Sequence, residues 1–443
     1  MRRIGLALGA VTVAASLAGC GMSPANGLGT NAFKGLGFTT KSSDAEWTIM
    51  LHLAASNNLE SFAYINLNEA EAGINSDKVN FIVLFDGNKK GDSKIMKVVR
   101  DPKGMNTTLV SPTIDDNGAV VPKDTKEIDS GDYRTVQKFV QWTAANYPAK
   151  KFAYVSWDHG SGIFAPNGQR INLGPGVDRM ALKRQMRASN QPISSQGFAW
   201  DDETGNHVTT AQFTDILKAA PKPFEMTGMD ACLMAHVEMA YQMQGYGKNL
   251  VASEELEPGL GWDYNEWLSA LSANPSADGA AHGAMIVKGF HKSYTPGGAH
   301  YGGRQQDVTL SNLSYDAVKN DLTPALNNLS DQLLAQMATD KAAIKAARSG
   351  SVEFYNSDCA DLGSFVAKIE SVASLKGAAK AVRDAYGKAV TAEAHAGSGV
   401  EGASGGVVYF PESKWSWKKD YDDASKIAFA GEKWRTFLAE FIK

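Results

Sequence analysis

Along most of the chain, short apolar runs alternate with stretches whose apolar residues recur at helical spacing. Residues 47–55 (WTIMLHLAA) and 79–85 (VNFIVLF) are apolar and carry β-branched side chains, while residues 57–74 between them have helical periodicity, which predicts a strand–helix–strand unit. A further strand is predicted over 95–100. In YRTVQKFVQWTAANY (133–147), Val136, Phe139, Val140 and Trp142 fall on one helical face. KFAYVSW (151–157) reads as a buried strand, followed by a helix over about 209–219 and an apolar stretch over 224–229. Strands alternating with helices predict an α/β fold, a mostly parallel sheet covered on both faces. In such sheets functional groups collect beyond the carboxyl ends of the strands. Farther on, helical stretches over 322–348 and 361–392, a strand over 406–410 and a Trp- and Lys-rich end (Lys414, Trp415, Trp417, Lys418, Lys419) predict a C-terminal subdomain that completes the fold.

The N-terminus departs from this alternation. Met1-Arg2-Arg3 is a short basic start, and residues 4–19 (IGLALGAVTVAASLAG) are apolar or small throughout, the pattern of a secretory signal peptide. The run is shorter than the roughly 20 apolar residues a bilayer-crossing helix needs, and no stop-transfer segment follows it. It ends in Leu17-Ala18-Gly19-Cys20, which resembles the lipobox of bacterial lipoproteins, where the cysteine is acylated and becomes the new N-terminus. The alternative is a soluble secreted protein with an incidental cysteine. Residues 21–45, rich in turn formers and without periodicity, read as a tether. The organisation expected is a signal peptide over 1–19, a flexible tether over 20–45, a catalytic core over 46–312 and the C-terminal subdomain over 313–443, lipid-anchored at the bacterial cell envelope.

Composition narrows the function. At 443 residues, 43% hydrophobic and 21% charged, the chain is neither disordered nor fibrous. With 48 acidic against 44 basic residues it lacks the cationic field that recruits nucleic acid, so no nucleic-acid partner is expected. Three cysteines are too few for a disulfide scaffold, and each needs its own explanation.

Two predicted strand ends carry chemistry. The strand at 151–157 runs into Asp158-His159-Gly160-Ser161-Gly162, an imidazole followed by glycines whose amides can approach a ligand. The strand at 224–229 runs into Asp230-Ala231-Cys232, and the sequence LMAHVEMAYQMQ is expected to start a helix immediately after the cysteine, so that the helix dipole favours the thiolate. A nucleophile and a base on neighbouring strand ends suit covalent catalysis, with the amides of Gly160 and Cys232 as the oxyanion hole. Taken singly, the cysteine also reads as a small buried hydrophobe and the histidine as a hydrogen-bonded core residue. The acid two residues before the cysteine, Asp230, reads either as a pocket carboxylate that would reward a guanidinium or as an N-cap of the following helix.

Trp157-Asp158-His159-Gly160-Ser161-Gly162, Met229-Asp230-Ala231-Cys232-Leu233-Met234 and Ser253-Glu254-Glu255…Pro258-Gly259-Leu260-Gly261-Trp262 resemble the clostripain family of cysteine peptidases. Asn57-Asn58-Leu59-Glu60 and Gly406-Val407-Val408-Tyr409-Phe410-Pro411 are similar too, although Ser56 stands where relatives often carry an acid. The resemblance covers most of residues 46–412. It implies the caspase/gingipain/legumain fold, an α/β/α sandwich, with Cys232 as nucleophile, His159 as general acid and base, and Asp230 lining a pocket for Arg or Lys before the scissile bond. Ser253 and Glu255 join it as substrate-binding candidates, while Glu254 and Glu255 also read as a solvated turn. Family members are commonly activated by cleavage between the His and Cys segments, and the 165–197 loop offers Arg170, Arg179, Lys183, Arg184 and Arg187 as sites for self-cleavage; the same residues also suit a plain solvated loop. Clostripain itself depends on calcium, but no D-x-D-x-D-G loop is present, and the residues call for no cofactor or metal.

Other motifs fail on context. Gly402-Ala403-Ser404-Gly405-Gly406 matches a hydrolase elbow but precedes a strand, and no histidine follows His395. Cys232 and His236 make a poor zinc pair, and Cys359 reads as a buried free thiol. The expected function is an endopeptidase cutting after Arg or Lys. Its rival is a catalytically inactive surface lipoprotein of the same fold that binds or scaffolds.

Overall fold

In the computed structural model, which describes residues 44–115, 117–163 and 197–443, the strands are β1 Trp47–Ala54, β2 Val79–Asp86, β3 Lys94–Lys97, β4 Lys151–Trp157, β5 Met226–Asp230, β6 Asn249–Ala252, β7 Val308–Ser314, β8 Cys359–Asp361, β9 Val390–Ala396 and β10 Val407–Tyr409. Eight of them form one sheet in the order β3-β2-β1-β4-β5-β6-β7-β9, while β8 and β10 pair separately. The central strands β2, β1, β4, β5 and β6 run parallel. β3 pairs antiparallel to β2, β7 antiparallel to β6, and β9 antiparallel to β7.

Strand alternation splits the core into two faces. Met50 and Ala54 of β1 and Phe152 and Tyr154 of β4 pack under helices Tyr133–Asn146, Thr210–Lys218 and Val237–Met243. Ile49, Leu51 and Leu53 of β1 with Ala153, Val155 and Trp157 of β4 pack under helices Glu60–Gly73, Tyr264–Ala273 and Gly279–Tyr294. The result is the expected three-layer, caspase-like α/β/α sandwich. The helix starts follow the capping chemistry of the sequence: Asp132 accepts the Arg134 amide, and Thr209 with Gln212 forms a reciprocal capping box.

Several boundaries move. The strand expected over 95–100 shortens to β3 and sits antiparallel at the sheet edge. The stretch over 322–348 splits into helices Thr323–Ala335 and Lys341–Ser349, and that over 361–392 into Leu362–Ile369 and Lys376–Ala389, with the last residues passing into β9. The division at 312/313 falls inside β7, and β9 joins the central sheet, so the C-terminal residues extend the same sheet that carries the site.

Candidate active site

β4 and β5 pair in parallel with Trp157 opposite Asp230, so the residues just beyond them meet at the carboxyl edge of the sheet. The Asp158 amide donates to the Asp230 carbonyl at 3.3 Å. Gly160 lies against the backbone of Cys232, where an added Cβ would sit 2.4 Å from the Cys232 carbonyl oxygen, so only glycine allows the two strand ends to come this close. The Asp158 carboxylate is buried and accepts the Asn57 amide at 2.7 Å and the Trp200 N–H. Asn57 also bonds the carbonyls of Ala54 and Trp200, tying the ends of β1 and β4 together.

The next residue, Asn58, orients the imidazole. His159 Nε2 lies 2.9 Å from Asn58 Oδ1. An amide oxygen only accepts, so Nε2 carries the proton and Nδ1 is the basic nitrogen of the neutral ring. After Gly162 the chain returns at Gly197, whose amide donates to Ser161 Oγ at 3.2 Å and whose carbonyl accepts from the Ser161 hydroxyl at 3.0 Å and its amide at 3.2 Å.

Cys232 is 5% exposed. The helix expected immediately after it begins instead at Val237, runs only to Met243 and is preceded by Leu233 in the left-handed region at φ +66°. Leu233 interrupts the helical path, so the dipole does not act on the sulfur as the sequence suggested. A backbone donor takes its place: the Glu257 amide lies 3.3 Å from Cys232 Sγ, an interaction that favours a thiolate over a thiol. His236 ends up buried beside Glu238, with Gly162 against its ring.

Asp230 is not an N-cap. Its side chain is 4% exposed and accepts the Tyr264 hydroxyl at 2.8 Å and the Trp262 amide at 3.2 Å. Gly261, at φ +59°, passes so close that a Cβ there would lie 2.6 Å from Asp230 Oδ1. Burial pushes the Asp230 carboxyl up to about 6, while hydrogen bonding from Glu257, Tyr264 and Trp262 holds it down. Glu257 faces it. Burial and the neighbouring Asp230 raise the Glu257 carboxyl well above the usual carboxylate range, so the pair holds one proton readily. Both Glu257 oxygens and Trp262 Nε1 are buried without a hydrogen bond of normal geometry. Leu59, Trp157, Asp158, His159, Asp230, Ala231, Cys232, Glu257, Pro258, Gly259 and Gly261 line a cavity of about 30 Å³. Nucleophile, base and acid pair thus share one cavity.

Ser253 and Glu255 do not line it. The Ser253 hydroxyl is buried against the Glu255 carbonyl and Thr309, and the Glu255 carboxylate accepts the amide of Leu256, so both shape the turn that carries Glu257. Glu254 is buried rather than a solvated turn, its carboxylate accepting the Gly405 amide. Cys359 is a buried free thiol in β8. Cys20 and the loop residues Arg170, Arg179, Lys183, Arg184 and Arg187 lie outside the described residues. Among the described residues, no group of three or more His, Cys, Asp or Glu is arranged to hold a metal ion. The sequence reading missed three contributors: Asn58 behind the histidine, Tyr264 behind Asp230, and Glu257, whose only signal was an acid just before Pro258-Gly259.

The clostripain family profile matches residues 51–180 and 184–440. The chain belongs to the clostripain family. Clostripain of Hathewaya histolytica is 24% identical over 304 residues, covering 63% of this chain and 53% of that protein, so the chain spans about half the length of this relative. A secreted C11 cysteine protease of Bacteroides thetaiotaomicron, solved with an irreversible peptide inhibitor, superposes with a TM-score of 0.61 at 18% identity, over 87% of this chain and 99% of that one. An inactive zymogen C11 protease of Parabacteroides distasonis superposes with a TM-score of 0.56 at 16% identity, over 90% and 99%. Clostripain-family membership and the shared fold agree with the three-layer sandwich and its β4–β5 edge.

Proposed function

We propose that this clostripain-family protein is a cysteine endopeptidase that cuts after Arg or Lys through Cys232 and His159. The observation that supports this reading is the single cavity holding Cys232, His159 and the Asp230–Glu257 acid pair. His159 Nδ1 takes the thiol proton and the thiolate attacks the scissile carbonyl carbon. Charge moves onto the carbonyl oxygen, facing the amides of Gly160 and Cys232. His159 then protonates the leaving amine, producing a thioester, and next deprotonates a water that releases the carboxylate product and the thiol. The guanidinium or ammonium of the residue before the scissile bond meets Asp230 and Glu257, where low dielectric strengthens a charge-assisted pair.

Self-cleavage within 165–197 and a lipid anchor at Cys20 extend the same reading. The zymogen described for the Parabacteroides distasonis relative makes activation by a cut a reasonable parallel. No helix among the described residues is long and apolar enough to cross a membrane; the Leu17-Ala18-Gly19-Cys20 sequence supports envelope attachment through acylated Cys20. Fluorogenic peptides with Arg or Lys before the reporter, under reducing conditions, test the enzyme: cleavage should disappear in Cys232→Ala and His159→Ala. Equal signal from the wild type and both variants overturns the proposal in favour of a binding lipoprotein. Mass spectrometry should find termini after Arg170, Arg179, Lys183, Arg184 or Arg187 in the wild type and none in Cys232→Ala. Cys20→Ala should move the protein from the membrane to the soluble fraction.

A further inference from the structure

Asp230 is held from behind by a buried polar network that reaches across the sheet face. The Tyr264 hydroxyl donates to Asp230 Oδ2 at 2.8 Å, and the Tyr264 amide donates to Glu69 Oε2 at 3.3 Å. Glu69 in turn meets His300 Nε2 at 2.7 Å and the Asn66 amide at 3.1 Å. Asn66 also grips the Leu260 carbonyl at 2.9 Å and accepts the Trp157 indole N–H at 2.8 Å. Tyr294, whose ring packs edge-on to His300, donates its hydroxyl to the Gly261 carbonyl at 2.9 Å. Tyr264 ends on Asp230, and Asn66 and Tyr294 end on the turn that walls its cavity, yet none of Tyr264, Glu69, His300 or Asn66 lines that cavity.

A packed core would accept apolar residues at these positions at lower desolvation cost, so a buried histidine–glutamate pair here calls for a reason. We propose that Tyr264 and the His300–Glu69 pair are positioning residues for the basic-residue pocket: they fix the Asp230 carboxylate and the 260–264 turn so that an incoming cation finds both in place. This rests on the reading of Asp230 as the pocket acid. Burial lowers the His300 imidazole, but the hydrogen bond and charge of Glu69 outweigh this and raise it, with Asp263 and Asp230 adding to the effect. His300 therefore brings positive charge toward Glu69, Asp263 and Asp230, countering the Glu69 charge that raises the Asp230 carboxyl.

The test compares Tyr264→Phe and His300→Gln with the wild type. Tyr264→Phe removes one hydroxyl with little change of volume; His300→Gln keeps an amide donor for Glu69 and removes the charge. Both should raise KM for a P1-Arg peptide, by about tenfold for the lost charge-assisted bond in Tyr264→Phe, with kcat within about twofold and the acid limb of kcat/KM moved to higher pH. A residue that merely supported the fold would lower kcat or the active fraction without moving the pH profile. Carbon-13 NMR of aspartate carboxyls, with Asp230→Asn for assignment, gives a readout independent of turnover: Asp230 should titrate at higher pH in both variants. Unchanged KM and unchanged Asp230 titration overturn the proposal. A wild type without Cys232-dependent cleavage overturns the peptidase reading instead, while the carboxyl titration still decides whether this network sets Asp230.

Discussion

Replacing Asp230 with asparagine tests the pocket most directly, because the substitution keeps the shape of the side chain and removes only its charge. Burial raises this carboxyl from 3.8 to about 6, so ionising it in the folded protein costs about 3 kcal/mol more than in the unfolded chain. The sign follows from the raised value. Between pH 3.8 and about 6 the unfolded chain sheds the proton while the folded one retains it, so stability falls across that window and the penalty is complete above it. Asp230→Asn escapes the penalty and should melt at higher temperature than the wild type at pH 8. Function should move the other way. Leaving a buried P1 guanidinium with Glu257 alone costs roughly 3 kcal/mol, or about 100-fold in kcat/KM for an Arg peptide. Below pH 6 the wild type should also lose about tenfold in the ionised fraction of Asp230 for each pH unit, and the variant lacks that Asp230 limb. Alkylation of Cys232 by iodoacetamide needs no P1 cation, so its pH dependence isolates the thiol and histidine from the pocket. An Asp230→Asn enzyme within threefold of wild type on Arg peptides, or an acid limb that appears identically in the alkylation rate, would refute the reasoning.

Asn58→Ala should cut kcat about tenfold with little change in KM, because the imidazole loses the acceptor that fixes its tautomer; stopped assays at saturating substrate will show it, and Asn58→Asp should recover part of the loss. Gly261→Ala adds a methyl at φ +59° and 2.6 Å from Asp230 Oδ1, so it should lower the melting temperature and raise KM for Arg peptides beyond measurable saturation. Gly160→Ala, with its Cβ 2.4 Å from the Cys232 carbonyl, should abolish turnover by forcing β4 and β5 apart at their ends, which loss of Cys232 alkylation selectivity over Cys359 would report.

The parallel strands were legible because they are buried on both faces and read as unbroken apolar runs; β1, β2 and β4 fall within a residue of their expected limits. The strand β9, VTAEAHA, was hidden by alanines and half-exposed charges that suit a helix as well as an edge strand, and only pairing with β7 decides it. At the site, His159, Cys232 and Asp230 could be placed because their strand context is local. The helix after Cys232 could not, since Leu233 takes a left-handed conformation that its side chain gives no hint of, imposed by the approach of the 255–257 turn, where the Leu233 amide donates to the Glu255 carbonyl. Asn58, Glu257 and Tyr264 act through partners a hundred, 27 and 34 residues away or thereabouts, a type of information that neither periodicity nor spacing carries.

Three hydrogen bonds between Ser161 and Gly197 hold these two residues together at the sheet edge although 35 residues separate them. With both ends fixed at one place, a change in chain length between Ile163 and Gly197 alters a loop-closure entropy that grows slowly with length, while Gly162 and Ile163 themselves pack against His236 and the core. A cut between residues 163 and 197 would leave the chain on either side held, by β4 before it and by the bridges of Phe198 to Gly160 and Val208 after it. Such a protein would migrate as two bands on a denaturing gel and as one particle by gel filtration, which makes the segment a natural place to install a foreign cleavage site and switch the molecule at will.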